Sequence, residues 1–405
     1  MLRNLPIKTY LAAARRSAGF GTGSGLPRPK GRLIWAHAVD AARYDALIQL
    51  AERLVGQMDN THVLLTTRND MPPPEREGKG LIWQPLPDDK RGSTDDFINH
   101  WKPDLCIWTG GDLQTQLLAS AERARVPLYL VDAETKLLNR PNWRWFPDLS
   151  RASLKKFDKI CTRDEDTSRF LKKMELGSIP VTVTGPLVEG AVVLPYVESD
   201  RDELSVLLRG RPVWLAAMLQ PQEIEAVLTA HREVGRLSHR ALLIIVPDDL
   251  EQTNAFSAAL QQQKWRCIHW SEGQFPEETT QVVLADTRGE MGLWYRIAPL
   301  TFMGSSLATG QTGRDPNEPA AHGSAILYGP NVRRYRSSYD RYEKTGAARA
   351  ITDARTLTSA IQRLIMPDQA AKMALAAWDV ASQGASVMDQ ITDIVLDKFD
   401  QMDVQ

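Results

Sequence analysis

"RLIWAHAVDAARYDALIQLAERLVGQ", residues 32–57, sets the pattern that the rest of the chain follows. Arg32 to His37 reads as a buried strand, because a strand covered on both faces shows a continuous apolar run. From Ala41 to Gln57 the period becomes that of a helix, with Leu47, Leu50, Ala51 and Leu54 on one face. A buried strand feeding an amphipathic helix is half of a parallel-sheet unit, and the unit recurs downstream. "HVLLTTRND", "LIWQPLPDD" and "PDLCIWTGGD" supply strands, the last ending in a glycine loop. The helix "LQTQLLASAERAR" and the strand "VPLYLVDAE" follow. A helix near 150–157 leads to the strand "FDKICTRDED", the helix "TSRFLKKMEL" and the strand "PVTVTGP". Strands alternating with helices at this spacing predict a parallel sheet with helices on both faces.

The alternation breaks at "LVEGAVVLPYVESDRDELSVLLRGR" (187–211), which reads as a crossing between domains. It restarts with the strand "PVWLAAM", the helix "PQEIEAVLTAHREVGR", the strand "ALLIIVPDD", the helix "EQTNAFSAALQQQ" and the strand "RCIHW". Then come "QVVLAD", the helix "GEMGLWYRIA", the strand "LTFMGSS", a helix near "EPAAHG" and the strand "AILYGP". The expected class is therefore α/β, with two Rossmann-like domains and a cleft between them. The expected boundaries are 1–190, 200–375, and C-terminal helices over 376–405.

Composition agrees and excludes some functions. The chain has 405 residues, 43% hydrophobic and 24% charged, enough for two or three cores. A net charge of −1 gives no basic field for nucleic acid. Cys106, Cys161 and Cys267 lie far apart, without metal-ligand spacing, and suggest a reducing compartment. No apolar stretch approaches the roughly 20 residues that span a bilayer. The start, "MLRNLPIKTYLAAARRSAGF", reads as a short peripheral helix, packed on its domain or resting on a membrane face.

Ligands of such folds sit at the carboxyl ends of strands. Two loops follow the strand at 300–303: Gly304-Ser305-Ser306, and "TGRDPNEPAA" (312–321). A helix starting near Glu318 would present its amides to an anion or phosphate. The same glycines and prolines are also compatible with a loop that only turns a corner.

These residues carry a resemblance. Asp286, Thr287, Gly289 and Glu290 form a DT-x-GE turn before a helix bearing Tyr295. Phe302, Gly304, Ser306 and Leu307 form an F-x-G-x-SL strand end. Gly313, Pro316, Glu318, Pro319, Ala320 and Ala321 form a G-x-x-P-x-EPAA loop, and Gly329, Pro330 and Val332 a GP-x-V turn. In order and spacing this resembles the Kdo transferases, which move 3-deoxy-D-manno-octulosonic acid from CMP-Kdo onto lipid A precursors. "RLIWAHAV", "VTVTGPL" and "VLTAHR", through His231, extend the resemblance over roughly residues 30–380. It implies an inverting glycosyltransferase of the GT-B type that needs no cofactor. Its donor would be CMP-Kdo or a related nucleotide sugar, and its acceptor a lipid A-type molecule. It would lie in the cytoplasm, or peripherally on the cytoplasmic face of a Gram-negative inner membrane.

The departures bear on the chemistry. The family follows its first strand with S-V-G-E, whose Glu is the expected general base; here the stretch is Asp40-Ala41-Ala42-Arg43, and Arg43 cannot accept a proton. The E-T-E-L-W-P loop is "GGDLQT", and N-A-R-L-S is "DAETK", so a cation becomes Glu134. S-T-H-x-G-E is "MLQPQE" (218–223), P-R-H-P is "PDDL" (247–250), and N-L-K is Pro186-Leu187-Val188.

Inversion needs a base for the acceptor hydroxyl and positive charge or amides for the leaving phosphate. Asp40 and Asp112 are the candidate bases; each also reads as a helix N-cap. Arg314 stands where the family has His, and with Gly304 and Ser305 is expected to contact the nucleotide. The resemblance gives Glu318 the ribose hydroxyls; the plainer reading is a first-turn Glu favoured by the helix dipole. Asp286 and Glu290 also read as caps. His37 points into the cleft or the core. "NRPNWRWFPDLSR" reads as a lip for an amphiphilic acceptor or as loop packing. Arg333, Arg334 and Arg336 read as phosphate-facing or as a solvated face. Two functions follow: an active divergent transferase, or a binding or regulatory protein of the same fold without catalysis. A nucleotide-sugar epimerase fits the C-terminal motifs less well.

Overall fold

A computed structural model describes residues 26–68, 71, 80–138 and 147–404. The reading of a peripheral helix in the first 20 residues, and most of the proposed lip at 139–151, fall outside them. The chain divides into two compact units, residues 1–190 with 386–405, and residues 191–385. Each is built on one parallel seven-stranded sheet.

The first sheet contains β1 (Arg32–Ala38), β2 (Thr61–Thr67), β3 (Leu81–Pro85), β4 (Leu105–Thr109), β5 (Leu128–Ala133), β6 (Lys159–Thr162) and β7 (Val181–Val183), in the order β3-β2-β1-β4-β5-β6-β7. β1 and β4 are almost wholly buried, which explains their unbroken apolar runs. The helix Ala41–Gln57 buries Leu47, Leu50, Ala51 and Leu54 on the face its sequence period predicts. These side chains pack with Ile34, Ala36, Ile107, and Val387, Met388 and Ile391 of the long helix Pro367–Asp403. The opposite face of the sheet is filled by Trp35, Trp108, Phe97, Leu117 and Leu154.

The second sheet contains β8 (Val213–Leu219), β9 (Leu242–Pro247), β10 (Cys267–His269), β11 (Val282–Leu284), β12 (Leu300–Met303), β13 (Ala325–Tyr328) and β14 (Ala348–Ala350), in the order β10-β11-β9-β8-β12-β13-β14. The segment expected to be an irregular crossing contains the helix Glu198–Leu207, which buries Leu204 among the apolar groups of this sheet. Its single well-buried position is too sparse to show a helical stripe in the sequence.

In each sheet the chain winds outward from the first strand, then returns to place a later strand on its other side. The reversals fall between β1 and β4, and between β8 and β12. Such switch points are where parallel sheets leave room for ligands, beyond the carboxyl ends of the strands. Asp40 and Asp112 follow the first pair; Gly304 and Ser305 follow β12. Among the described residues no helix is long and apolar enough to cross a membrane.

Candidate functional site

At the first switch point, Asp40 caps the helix Ala41–Gln57. Its backbone is extended and its Oδ1 accepts from Arg43 N at 3.0 Å. Arg43, 5% exposed, then reaches three carboxylates. Its Nη1 pairs with Asp40, its Nε lies 2.6 Å from Asp132 Oδ2, and its Nη2 donates to Glu134 Oε2 at 2.8 Å. Arg163 closes the cluster from the end of β6, with Nε 3.3 Å from Asp132 Oδ1 and Nη1 2.6 Å from Glu134 Oε2. Burial pushes the Asp132 carboxyl up to about 6, against the pull of Arg43 and Arg163. Burial alone would lower Arg43, but Asp132, Asp40 and Glu134 together hold it above its usual value. Asp132 also has a left-handed φ of 52°, a conformation a non-glycine residue keeps only when its surroundings impose it.

Asp112 follows Gly110 and Gly111, and all three have positive φ. A Cβ on Gly110 would lie 2.8 Å from both Val39 and Leu137, so the loop is tightly packed. The next helix, Thr115–Arg123, has Gln114 as its N-cap. Asp112 therefore does not cap it, and lies 3.7 Å from Arg68 instead. His37 belongs to the core: its ring sits 4.1 Å from that of Trp108, Nδ1 contacts Thr66 O at 3.1 Å, and burial pushes it down to about 3.

At the second switch point, the amides of Ser305, Ser306, Leu307 and Ala308 all donate to the buried carboxylate of Glu223, at 2.7, 3.0, 2.7 and 3.1 Å. Successive amides of this kind form a nest for an anion, and the protein's own side chain fills it. Ser305 has φ 54°, and its Oγ donates to Met218 O at 3.0 Å. A Cβ on Gly304 would lie 2.6 Å from Met218 O, so that glycine lets β12 approach the end of β8. Gly304 and Ser305 thus frame the nest. Gln220 bridges Ser305 Oγ at 2.9 Å and Asp248 Oδ2 at 2.8 Å.

Arg314 is one-third exposed and grips Asp248 bidentately, with Nε 2.6 Å from Oδ1. Beside it, Glu318 accepts from Tyr295 Oη at 3.3 Å. Burial, reinforced by the charge of Asp315, pushes the Glu318 carboxyl up to about 7, while the Tyr295 bond and Arg314 pull the other way. The loop is pinned by Tyr339 Oη on Arg314 O and Tyr342 Oη on Asn317 Oδ1, both at 2.8 Å. The helix here, Asn317–Ala321, has five residues, and Asp315 Oδ1 takes the Asn317 amide at 2.9 Å. The expected phosphate cradle at this helix terminus therefore has a short dipole and an occupied amide.

Asp286 does not cap the helix Met291–Ile297. It accepts from Ser271 N and Oγ, both at 2.9 Å, and lies 3.0 Å from His269 Nδ1. Glu290 occupies the N-cap position, but its side chain bonds Thr287. Arg333, Arg334 and Arg336 are exposed, with Arg334 stacked 5.4 Å over the Tyr335 ring. Among the described residues no three His, Cys, Asp or Glu side chains converge as a metal site would require. Sequence reasoning missed Glu223, Asp248, Asp132 and Arg163. The legible signal for three of them was an acid at or just beyond the end of an apolar strand, in "MLQPQE", "IIVPDD" and "LVDAE".

Residues 13–188 match the family described as 3-deoxy-D-manno-octulosonic-acid transferase (kdotransferase). The chain is 30% identical over 389 residues to the 3-deoxy-D-manno-octulosonic acid transferase of Bordetella pertussis, covering 91% of this chain and 89% of that one. It is 23% identical over 385 residues to the transferase of the same description from Haemophilus influenzae, covering 93% and 89%. Among solved structures, the C-terminal CMP-Kdo binding domain of WaaA from Acinetobacter baumannii aligns with a TM-score of 0.42 and 23% identity, over 45% of this chain and 98% of that one. MurG from the same organism aligns with a TM-score of 0.47 and 12% identity, over 92% and 100%.

Proposed function

The chain belongs to the 3-deoxy-D-manno-octulosonic acid transferase family, and on that premise we propose that it is a divergent, inverting sugar transferase. It would move Kdo or a related sugar from a CMP-activated donor to a lipid A precursor or similar acceptor. The acceptor oxygen forms a bond to the anomeric carbon as the bond from that carbon to the phosphate oxygen breaks. CMP leaves, and the acceptor proton passes to a carboxylate. The work would proceed at the cytoplasmic face of the inner membrane of a Gram-negative bacterium, with the acceptor taken by residues 1–190 and the nucleotide sugar by residues 200–375.

The observation that carries this reading is Glu318. It is a carboxylate, held by Tyr295 within the family's EPAA loop, with an acceptor chemistry suited to two vicinal ribose hydroxyls. Arg314 lies on the same loop and, on exchanging Asp248 for the donor, would meet the leaving phosphate. For the base, Asp40 and Asp112 remain the candidates, each beyond the carboxyl end of a strand at the first switch point. Asp40 is the more accessible, its side chain 42% exposed against 26%.

A second reading is a homologue that binds nucleotide without catalysis. Two observations favour it: Arg43 occupies the expected base position inside a closed ionic cluster, and Arg314 is paired with Asp248. Calorimetric titration with CMP, CDP, UDP, GDP and ADP tests the shared part of both readings. Tightest binding of CMP, weakened in Glu318→Ala, is expected. Preference for another nucleotide, or equal affinity in the variant, would sink the donor assignment.

A further inference from the structure

A second charged site lies in the C-terminal unit, at the opposite end of its sheet from Asp248 and Ser305. The residues that lead into β9, β10 and β11 meet the helix Ile224–Leu237 around a pocket of about 390 Å³. Arg232, Arg236, His239, Lys264 and Arg266 line it, around the half-buried ring of Trp265.

The basic groups differ in how they are held. The guanidinium of Arg232 sits 5.2 Å over the Trp265 ring and donates to Gln263 Oε1 at 2.8 Å. Trp265 Nε1 donates to the same oxygen at 3.3 Å, and Gln263 is itself anchored on Glu225 at 2.7 Å. Arg232 is therefore positioned by a ring and an amide, neither of which neutralises it. Arg236 pairs with Glu233 at 2.8 Å. Among the described residues, the side chains of Lys264 and Arg266 form no ion pair.

His231 supplies the floor. Trp214 Nε1 donates to its Nδ1 at 3.2 Å, which leaves Nε2 to donate to Gln281 O at 3.1 Å. Burial pushes it down to about 4, so at neutral pH it contributes shape and no charge. Four cations, Arg232, Arg236, Lys264 and Arg266, thus face two carboxylates, Glu225 and Glu233, a local excess of two positive charges. The whole chain carries −1, so this excess is a local feature.

We propose that this pocket binds a phosphate-bearing anion. With Arg236 paired to Glu233, the guanidiniums of Arg232 and Arg266 and the Lys264 ammonium around a concave surface match the several oxygens of a phosphate group, and charge-assisted bonds to such oxygens are the strong ones. The phosphate could arrive on a soluble compound or on a lipid headgroup; the recognition chemistry is the same. The site is separate from the Arg314 loop and does not depend on the donor assignment.

The test uses the full chain and two probes. Pyrophosphate is titrated calorimetrically at low salt, and flotation is measured with phosphatidylglycerol vesicles against phosphatidylcholine vesicles. Lys264→Gln/Arg266→Gln removes two exposed cations and is expected to melt as the wild type does. It should bind pyrophosphate at least about tenfold more weakly, while Lys172→Gln/Lys173→Gln, which removes two exposed cations of the other unit, binds it as before. Vesicle binding by the wild type, lost in the double variant, identifies a headgroup as the source. Pyrophosphate binding without vesicle binding identifies a soluble phosphate. Wild-type affinity for both probes in the double variant overturns the proposal, as does a wild type that binds neither.

Discussion

Arg43 Nη2 and Glu134 Oε2 lie 2.8 Å apart, at the two positions where the family pattern has a glutamate and a cation. The signs are exchanged, and here the two side chains form an ion pair. The exchange also recruits Asp132, Asp40 and Arg163, so the first switch point holds a closed ionic cluster. A buried charge that loses its partner costs far more than an intact pair contributes, which makes the cluster sensitive to the loss of its buried members, Arg43 and Asp132.

Arg43→Met should therefore lower stability by about 3–5 kcal/mol at pH 7, measured by urea denaturation. Burial already pushes the Asp132 carboxyl up to about 6. Removing a cation raises it further, so protonation relieves the variant at low pH. The loss should shrink at pH 5; an equal loss at both pH values would remove Asp132 from the explanation.

Glu223→Ala leaves the amides of Ser305 to Ala308 without their carboxylate. The expected cost is at least about 3 kcal/mol, since several charge-assisted bonds are lost at a buried position. The vacated nest should then take an external anion. Sulfate should raise the melting temperature of the variant well beyond its general effect on the wild type. An identical sulfate response in both would refute the nest.

Glu318 predicts opposite pH trends for stability and binding. Its carboxyl is raised to about 7 by burial first and Asp315 second, above an unfolded value of about 4.5. The folded state then holds more protons than the unfolded one between those values. The folded state is therefore favoured below pH 4.5, and that advantage is lost as pH rises through 7. Glu318→Gln should flatten the decline, and above pH 8 should be the more stable protein by on the order of 2 kcal/mol. CMP affinity should instead rise with pH through 7 in the wild type, because only the carboxylate accepts from both hydroxyls. A flat affinity profile would detach Glu318 from the ribose.

Asp40→Asn retains a capping side chain but no basic oxygen. It should melt near the wild-type temperature while transfer falls about 100-fold or more. Full activity would shift the role to Asp112.

The sheets and their order of elements were legible because strands buried on both faces, such as "RLIWAHA" and "ALLIIVP", cannot be mistaken for amphipathic surface. The helix Glu198–Leu207 was not, because one buried leucine sets no period. At the site, the residue types of Asp40, Arg314 and Glu318 were legible, but their partners were not. The Arg43–Asp132 contact joins the first turn of the helix Ala41–Gln57 to the end of β5, and Arg314–Asp248 joins two loops 66 residues apart. Such pairings are set by strand order, which a local pattern does not contain. Gly304 read as a ligand loop, yet its backbone is needed for close approach to Met218. The same glycine signal serves both purposes.

Transfer of a sugar from a CMP-activated donor defines the proposed activity. The direct measurement is radiolabelled Kdo transfer, with CMP-Kdo generated in place and a lipid A precursor as acceptor. Labelled acceptor is expected with the wild type, strongly reduced product with Asp40→Asn, and weakened donor binding with Glu318→Ala. CMP binding without any labelled product from the wild type would rule out the transfer and leave the non-catalytic reading in its place.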